Sequence, residues 1–297
     1  MFALPDLPAA PLQPLHLPWL EHAGVQVAAL RLDLIDPLIS GNKWFKLKYH
    51  LLAAQAQGLH GLISLGGAHS NHLHALAAAG KRLGVPTVGL LRGHPQATPT
   101  VADLQAFGMQ LHWLGYGGYR QRHAQGFWDS WQQLYPGFLP ISEGGAGAEG
   151  VRGCAEIVEQ MRQQLPGIGW AGYDAWWLAA GTGTTAAGLA LAEAGAHPVY
   201  AALAVPEGHG VDEQLQALGA PEVRQVTASR GGFARVDAEL LAFLSETEAD
   251  CGLPLEPLYT AKALLALREA VQGGQIEHGQ RLIFVHTGGL QGRRGFA

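Results

Sequence analysis

Lys43 stands in Ser40-Gly41-Asn42-Lys43-Trp44-Phe45-Lys46-Leu47, an apolar setting opened by glycine. An ε-amine kept out of water sheds its proton readily and can attack a carbonyl carbon to form a Schiff base. The same segment also fits a Gly-Asn turn followed by a lysine whose stem lies along a helix, with Lys46 nearby on the helix surface in a structural role. Two further segments add to it. Ser64-Leu65-Gly66-Gly67-Ala68-His69-Ser70-Asn71-His72 reads as a strand end, a glycine turn and a helix start, and Ala180-Gly181-Thr182-Gly183-Thr184-Thr185 repeats that layout. Glycines let a backbone close on a phosphate dianion while amides and hydroxyls donate to it at a helix N-terminus, and no lysine is required for that. An amine for an aldehyde and a cradle for a phosphate are what an aldehyde cofactor with a phosphate tail needs. No Gly-Lys-Ser/Thr follows the threonine loop, which disfavours nucleotide hydrolysis. A dinucleotide fingerprint, glycines after the first strand with an acidic residue downstream, is not found either.

The elements that must hold these residues alternate. Pro5 to Pro18 is a proline-studded leading segment, and Val25 to Leu32 alternates like a strand. A helix follows Lys43 and ends near Gly58, with Trp44, Leu47, Leu51 and Leu52 on one side. Strands are predicted over 61–65, 87–91 and 110–114, with helices over 71–83 and 100–107 between them. A helix over 154–165 and an apolar strand over 175–180 come next, then strands over 199–205 and 281–286. Short strands alternating with helices indicate βαβ units and parallel sheets, so the fold class is α/β. The glycines at 144–147 are the clearest compositional break.

At 297 residues and 48% hydrophobic content the chain can bury a large core. Only 14% of residues are charged and the formal net charge is -5, which offers neither a basic field for nucleic acid nor a polybasic arm for membranes. A small-molecule partner is favoured. Cys154 and Cys251, far apart and without metal-ligand spacing, point to a reducing compartment, and no apolar stretch is long enough to span a bilayer. The reading is cytoplasmic.

Lys43, the Ser70-Asn71 pair and the 181–185 loop together resemble the pyridoxal-phosphate-dependent family that contains 1-aminocyclopropane-1-carboxylate deaminase and D-cysteine desulfhydrase, with the two-domain fold of the tryptophan synthase β-subunit. The likeness runs from about Pro14 to Gly292. It implies a large cofactor-binding domain formed by 1–45 and 141–297, a small inserted α/β domain over 46–140, and pyridoxal phosphate in the cleft between them. By resemblance Lys43 is the Schiff-base lysine. Gly181, Thr182, Gly183, Thr184 and Thr185 hold the phosphate, Asn71 bonds the phenolic oxygen, and Ser70 and Tyr259 face the substrate. The deaminase branch carries a glutamate against the pyridine nitrogen where this chain has Thr260; Thr287 offers another hydroxyl near the same place. A hydroxyl there makes a weaker electron sink than a carboxylate and tilts the chemistry toward loss of a good leaving group such as thiolate.

The implied activity is β-elimination from D-cysteine or a related small amino acid, giving a 2-oxo acid and ammonia, with 1-aminocyclopropane-1-carboxylate as second substrate and a low-turnover pyridoxal-phosphate-binding protein as the rival from another class. A homodimer is implied by resemblance alone. His72 stands where the family often has glutamine, and an imidazole titrating near neutral pH there would tune proton transfer. His69, His72 and His74 match no strong zinc spacing, so no metal site is assigned. Ser70 also reads as a helix N-cap, and Trp176 and Trp177 as core.

Overall fold

In the computed structural model, which describes residues 2–296, two sheets share the chain. The chain begins with β1 (Leu12–Leu15), α1 (Pro18–Ala23), β2 (Gln26–Arg31) and α2 (Asn42–Ala56). Then come β3 (Gly61–Gly66), α3 (Asn71–Leu83), β4 (Thr87–Leu91), α4 (Pro99–Ala106), β5 (Gln110–Trp113), α5 (Gly115–Arg120), α6 (Asp129–Leu134) and β6 (Phe138–Ile141). The chain continues with α7 (Ala148–Arg162), β7 (Ala175–Ala180), α8 (Thr184–Glu193), β8 (Val199–Leu203), α9 (Val211–Ala217) and β9 (Arg224–Thr227). It closes with α10 (Ala238–Cys251), α11 (Thr260–Gln272) and β10 (Arg281–His286). The four-stranded sheet has the order β5-β4-β3-β6 and is parallel throughout. The six-stranded sheet has the order β1-β2-β10-β7-β8-β9, with only the β1–β2 pair antiparallel.

The prolines that obscure β1 and β6 in the sequence are tolerated because each strand lies at a sheet edge. There Pro14 and Pro140 need not donate to a second neighbour. β7 is buried along its whole length, as its Ala-Trp-Trp-Leu-Ala-Ala run implies, and Trp176 and Trp177 are core. The helix expected over 154–165 starts earlier, at Ala148. Glycines 150 and 153 read as breakers, but here they allow close packing: a Cβ on Gly153 would strike the carbonyl of Phe45 in α2, and one on Gly188 would come within 2.7 Å of the Val151 carbonyl. Helices α2, α7 and α8 are therefore pressed together, and α2 carries Lys43. On α2, Trp44, Leu47 and Leu51 are buried as expected, whereas Leu52 is exposed, since it lies about a quarter turn past the packed stripe.

The loops of interest leave the carboxyl ends of parallel strands: 67–70 after β3, 181–183 after β7, and Thr287 after β10. That edge is where open α/β sheets hold ligands. Asp33, just beyond β2, ties it together. Its fully buried carboxylate accepts from Arg31 Nε at 2.9 Å and Nη2 at 2.7 Å, and lies 3.0 Å from His286 Nδ1 at the end of β10. Burial alone would raise the Asp33 pKa, but the bonds from His286 and Arg31 outweigh it and bring the value from 3.8 down to about 2. A carboxylate with a depressed folded pKa stabilises the fold above its unfolded pKa and loses that contribution as pH falls through the folded one. The Asp33 share, on the order of 2 kcal/mol, should therefore disappear between about pH 4 and 2. Asp33→Asn is expected to flatten that section of the acid limb in urea unfolding measured against pH; an unchanged slope would contradict the assignment.

Candidate active site

The segment 40–43 lies directly on the end of β10. Gly41 has φ +74°, a left-handed conformation that suits glycine, and a Cβ there would strike the carbonyl of Thr287. Asn42 then donates its backbone N–H to that carbonyl at 3.2 Å and its Nδ2 to Thr185 Oγ1 at 2.8 Å. Its Oδ1 accepts from Lys43 Nζ at 3.1 Å. One asparagine thus links the lysine to the threonine loop and to β10. Burial pushes the Lys43 pKa well below the ordinary lysine value, and the charge of Lys46 one turn along adds to the shift. The shift favours the neutral amine, which is its nucleophilic form.

Lys46 is not on the helix surface as its spacing suggested. It is 3% exposed and pairs with no carboxylate among the described residues. The glycine run at 144–147 explains why. A Cβ on Gly145 would lie 3.1 Å from Lys46 Cβ, so the run packs over that face of α2 and roofs the lysine. Burial lowers its pKa, partly offset by the Cys154 thiol. Cys154 in turn is raised by burial, with Lys46 and a bond to Thr185 opposing. A buried cation thus stands close to the N-terminal turn of α8, where Gly183 is left-handed at φ +72°, Thr184 and Thr185 are buried, and the Thr182 and Thr184 hydroxyls lie 3.1 Å apart. Amides, hydroxyls and a lysine that no described carboxylate pairs with form a donor set that fits a phosphate dianion.

On the facing sheet, Ser70 caps α3 by accepting from the Leu73 N–H at 3.2 Å. Asn71 Oδ1 accepts from Gln291 Nε2 at 2.9 Å, and a side chain on Gly289 would collide with Asn71 Nδ2, so the turn 290–295 closes on this residue. Gln291 belongs to no motif in the sequence and lies just past the Thr287-Gly288-Gly289 turn. Ser64 gives its single proton to the Ile141 carbonyl at 2.8 Å, so its 2.8 Å bond to His72 Nε2 must have His72 donating. His72 is then the neutral Nε2–H tautomer, with its Nδ1 lone pair buried and unpartnered beside Gly145. Burial, reinforced by Lys43, Lys46 and His50, holds its pKa well below the usual imidazole value. It therefore does not titrate near neutrality, contrary to the expectation from residue type. The other two histidines of that cluster go elsewhere: His74 to Asp103 at 3.1 Å, and His69 beside the ring of Phe296.

Tyr259 precedes α11, and a Cβ on Gly181 would lie 3.3 Å from its ring, so the phenol rests on the threonine loop. Burial, with Glu256 and Glu143 adding, raises its pKa, which keeps the phenol protonated. Thr260 proves to be committed to structure. Its Oγ1 accepts from Glu256 N–H at 2.8 Å and donates to the Glu256 carbonyl at 3.3 Å, and the residue is fully buried. Glu256, 1% exposed, accepts from the amides of Leu258 at 2.8 Å and of Tyr259 and Thr260 at 2.7 Å. Burial raises its pKa against those three bonds. Thr287 is left as the hydroxyl at the end of β10 that bonds no other described residue. The amine of Lys43, the phosphate-type donor set and the orphaned His72 nitrogen together fit a phosphorylated aldehyde.

Comparison with known proteins agrees. The model of the family described as pyridoxal-phosphate dependent enzyme matches residues 7–288, and the chain belongs to that family. It is 28% identical to a D-cysteine desulfhydrase of Salmonella newport over 96% of this chain and 93% of that one. It is 25% identical to the mitochondrial bifunctional D-cysteine desulfhydrase/1-aminocyclopropane-1-carboxylate deaminase of Arabidopsis thaliana, over 98% and 78% respectively. Among solved structures, an ACC deaminase homologue superposes with TM-score 0.82 at 25% identity, covering 97% of this chain and 91% of that one. A pyridoxal 5'-phosphate-dependent aspartate racemase, at 17% identity and TM-score 0.69, shares the fold. The enzyme is pyridoxal-phosphate dependent. No helix among the described residues is long and apolar enough to cross a membrane.

Loss of a buried charge-assisted bond costs roughly 1.5–3 kcal/mol, about ten- to a hundredfold in affinity. Lys46→Met should weaken pyridoxal phosphate binding by about that factor in an absorbance titration and leave binding of unphosphorylated pyridoxal nearly unchanged. An equal loss for both would remove Lys46 from the phosphate.

Proposed function

We propose that the protein is a deaminating lyase acting on a small amino acid, with D-cysteine as its first substrate. The net reaction takes D-cysteine and water to pyruvate, ammonia and hydrogen sulfide. When bound, pyridoxal phosphate supplies the carbonyl for an amine and a conjugated ring that accepts electrons from the substrate carbon. Lys43 is the amine that holds it and the base that takes the α-proton of the substrate, suited to both by its lowered pKa. The 181–185 loop, with Lys46, takes the phosphate, and Asn71 the phenolic oxygen. Ser70 and Tyr259 meet the substrate, the first through a hydroxyl whose oxygen already caps α3, the second through a phenol that stays protonated.

One observation carries the choice of reaction. Both oxygens of the buried carboxylate nearest Tyr259, that of Glu256, are taken by the amides opening α11, and Thr260 is locked to the same turn. In this reading Thr287 is the partner of the ring nitrogen. A hydroxyl supports a protonated ring less than a carboxylate does, which suits expulsion of a thiolate better than opening of a carbon ring. 1-Aminocyclopropane-1-carboxylate is accordingly the second substrate.

The same reading assigns 1–45 with 141–297 to a large domain and 46–140 to a small inserted one, supported by the separate sheets that these segments supply. It also includes a homodimer and a cytoplasmic location, the latter supported by two cysteines that stay free.

The purified holoenzyme, offered D- and L-cysteine, D- and L-serine, β-chloroalanine and 1-aminocyclopropane-1-carboxylate, is expected to release sulfide and pyruvate from D-cysteine with the highest kcat/KM. Turnover confined to L-serine, or to the cyclopropane, would reject the assignment.

A further inference from the structure

Lys262 is 1% exposed in the first turn of α11, yet among the described residues no carboxylate pairs with it. Its ammonium instead donates to three backbone carbonyls, Ser229 at 3.0 Å and Gly232 and Phe233 at 2.9 Å. Three N–H groups meet three acceptors, which accounts for the burial of an unpaired charge. The carbonyls belong to the turn between β9 and α10. Arg230 holds the same turn from outside, bonded to Asp237 at 2.7 Å and Glu239 at 2.5 Å, and sits at φ +52°, an uncommon backbone conformation for a residue with a side chain. Nothing in the reactions above calls for so many bonds to one loop.

The turn reaches the candidate site through Phe233. Its ring meets that of Tyr259 edge-on, with centroids 5.3 Å apart and planes at 65°. Tyr259 stands three residues before Lys262, on the same side of the helix start, and its other side rests on Gly181 of the threonine loop. The phenol is therefore held between a loop that α8 fixes and a loop that Lys262 fixes. A cavity of ≈ 450 Å³ lined by Arg230, Arg235, Asp237, Lys262, Leu265 and Glu269 borders the turn.

We infer that Lys262 is a positioning residue: its ammonium pins the 229–233 turn and, through Phe233, sets where the Tyr259 phenol stands. The link to Tyr259 rests on the function proposed above; the pin itself does not. Burial pulls the Lys262 pKa down to about 8, with Glu256 and Asp237 opposing and Arg230 adding, while Glu269 and Arg235 line the same cavity. As pH rises through that value the amine gives up one donor for three acceptors, and the turn loosens.

Hydrogen exchange on the holoenzyme tests the pin. Lys262→Met should speed exchange of the 229–235 amides by about tenfold or more and leave those of β10 unchanged. In the unaltered protein, protection of 229–235, corrected for intrinsic exchange, should fall between about pH 7 and 9 while β10 stays constant, a readout that does not require the variant to fold. Unaltered exchange in both experiments overturns the pin. With D-cysteine, Lys262→Met should lower kcat/KM about tenfold, Phe233→Ala should reproduce that loss, and neither should lower it further in a Tyr259→Phe background. Additive losses would overturn the link to Tyr259. If D-cysteine is not turned over at all, the proposed substrate fails while the exchange result still decides the pin.

Discussion

The site depends on the removal of lysine amines from water without the counter-ions that would normally accompany them. Among the described residues Lys43 has an amide oxygen as its one partner and Lys46 pairs with no carboxylate. An uncompensated buried ammonium is costly, and proteins avoid the cost by shifting the pKa or by leaving the charge for a ligand. Both routes fit here. Lys43 moves toward the neutral amine that carbonyl chemistry needs, and Lys46 stands ready for an anion. The packing of α2 against α7, and of α7 against α8, enforces this arrangement, and Gly153 and Gly188 make it possible by giving up their side chains.

Asn42 converts that packing into alignment. Through its amide and backbone N–H it joins the lysine, the threonine loop and the end of β10, elements far apart in sequence. A shift of α2 would disturb all three together. Asp33 acts in the same way nearby, where it fixes the end of β2 to the end of β10. The reactive edge is thus defined by hydrogen bonds between strand ends, over sheets that are themselves almost wholly parallel.

The sequence reveals this fold wherever a single physical signal dominates. Strands 87–91, 175–180 and 281–286 and the helix 71–83 have clean boundaries because glycine or proline ends them and burial is nearly complete between. It conceals β1 and β6, whose prolines are acceptable only at a sheet edge, and it delays α7, whose glycines are packing surfaces rather than breaks. Within the site, Lys43, Ser70, Asn71 and the 181–185 loop are legible as motifs. Lys46 and His72 are misread because their burial comes from a distant glycine run folding over them, and helix spacing carries no trace of that contact. Thr260 and Thr287 look equivalent until the cap formed by Glu256 uses up the first.

The central claim is that the amine of Lys43, rather than that of Lys46 or Lys262, bonds the cofactor aldehyde. All three are buried or partly buried and all three have lowered pKa values, so neither property alone selects one. Borohydride reduction of the pyridoxal phosphate-loaded protein, followed by intact mass and peptide mapping, distinguishes them. The account predicts a single adduct on Lys43; an adduct on either of the other lysines, or none at all, would contradict it.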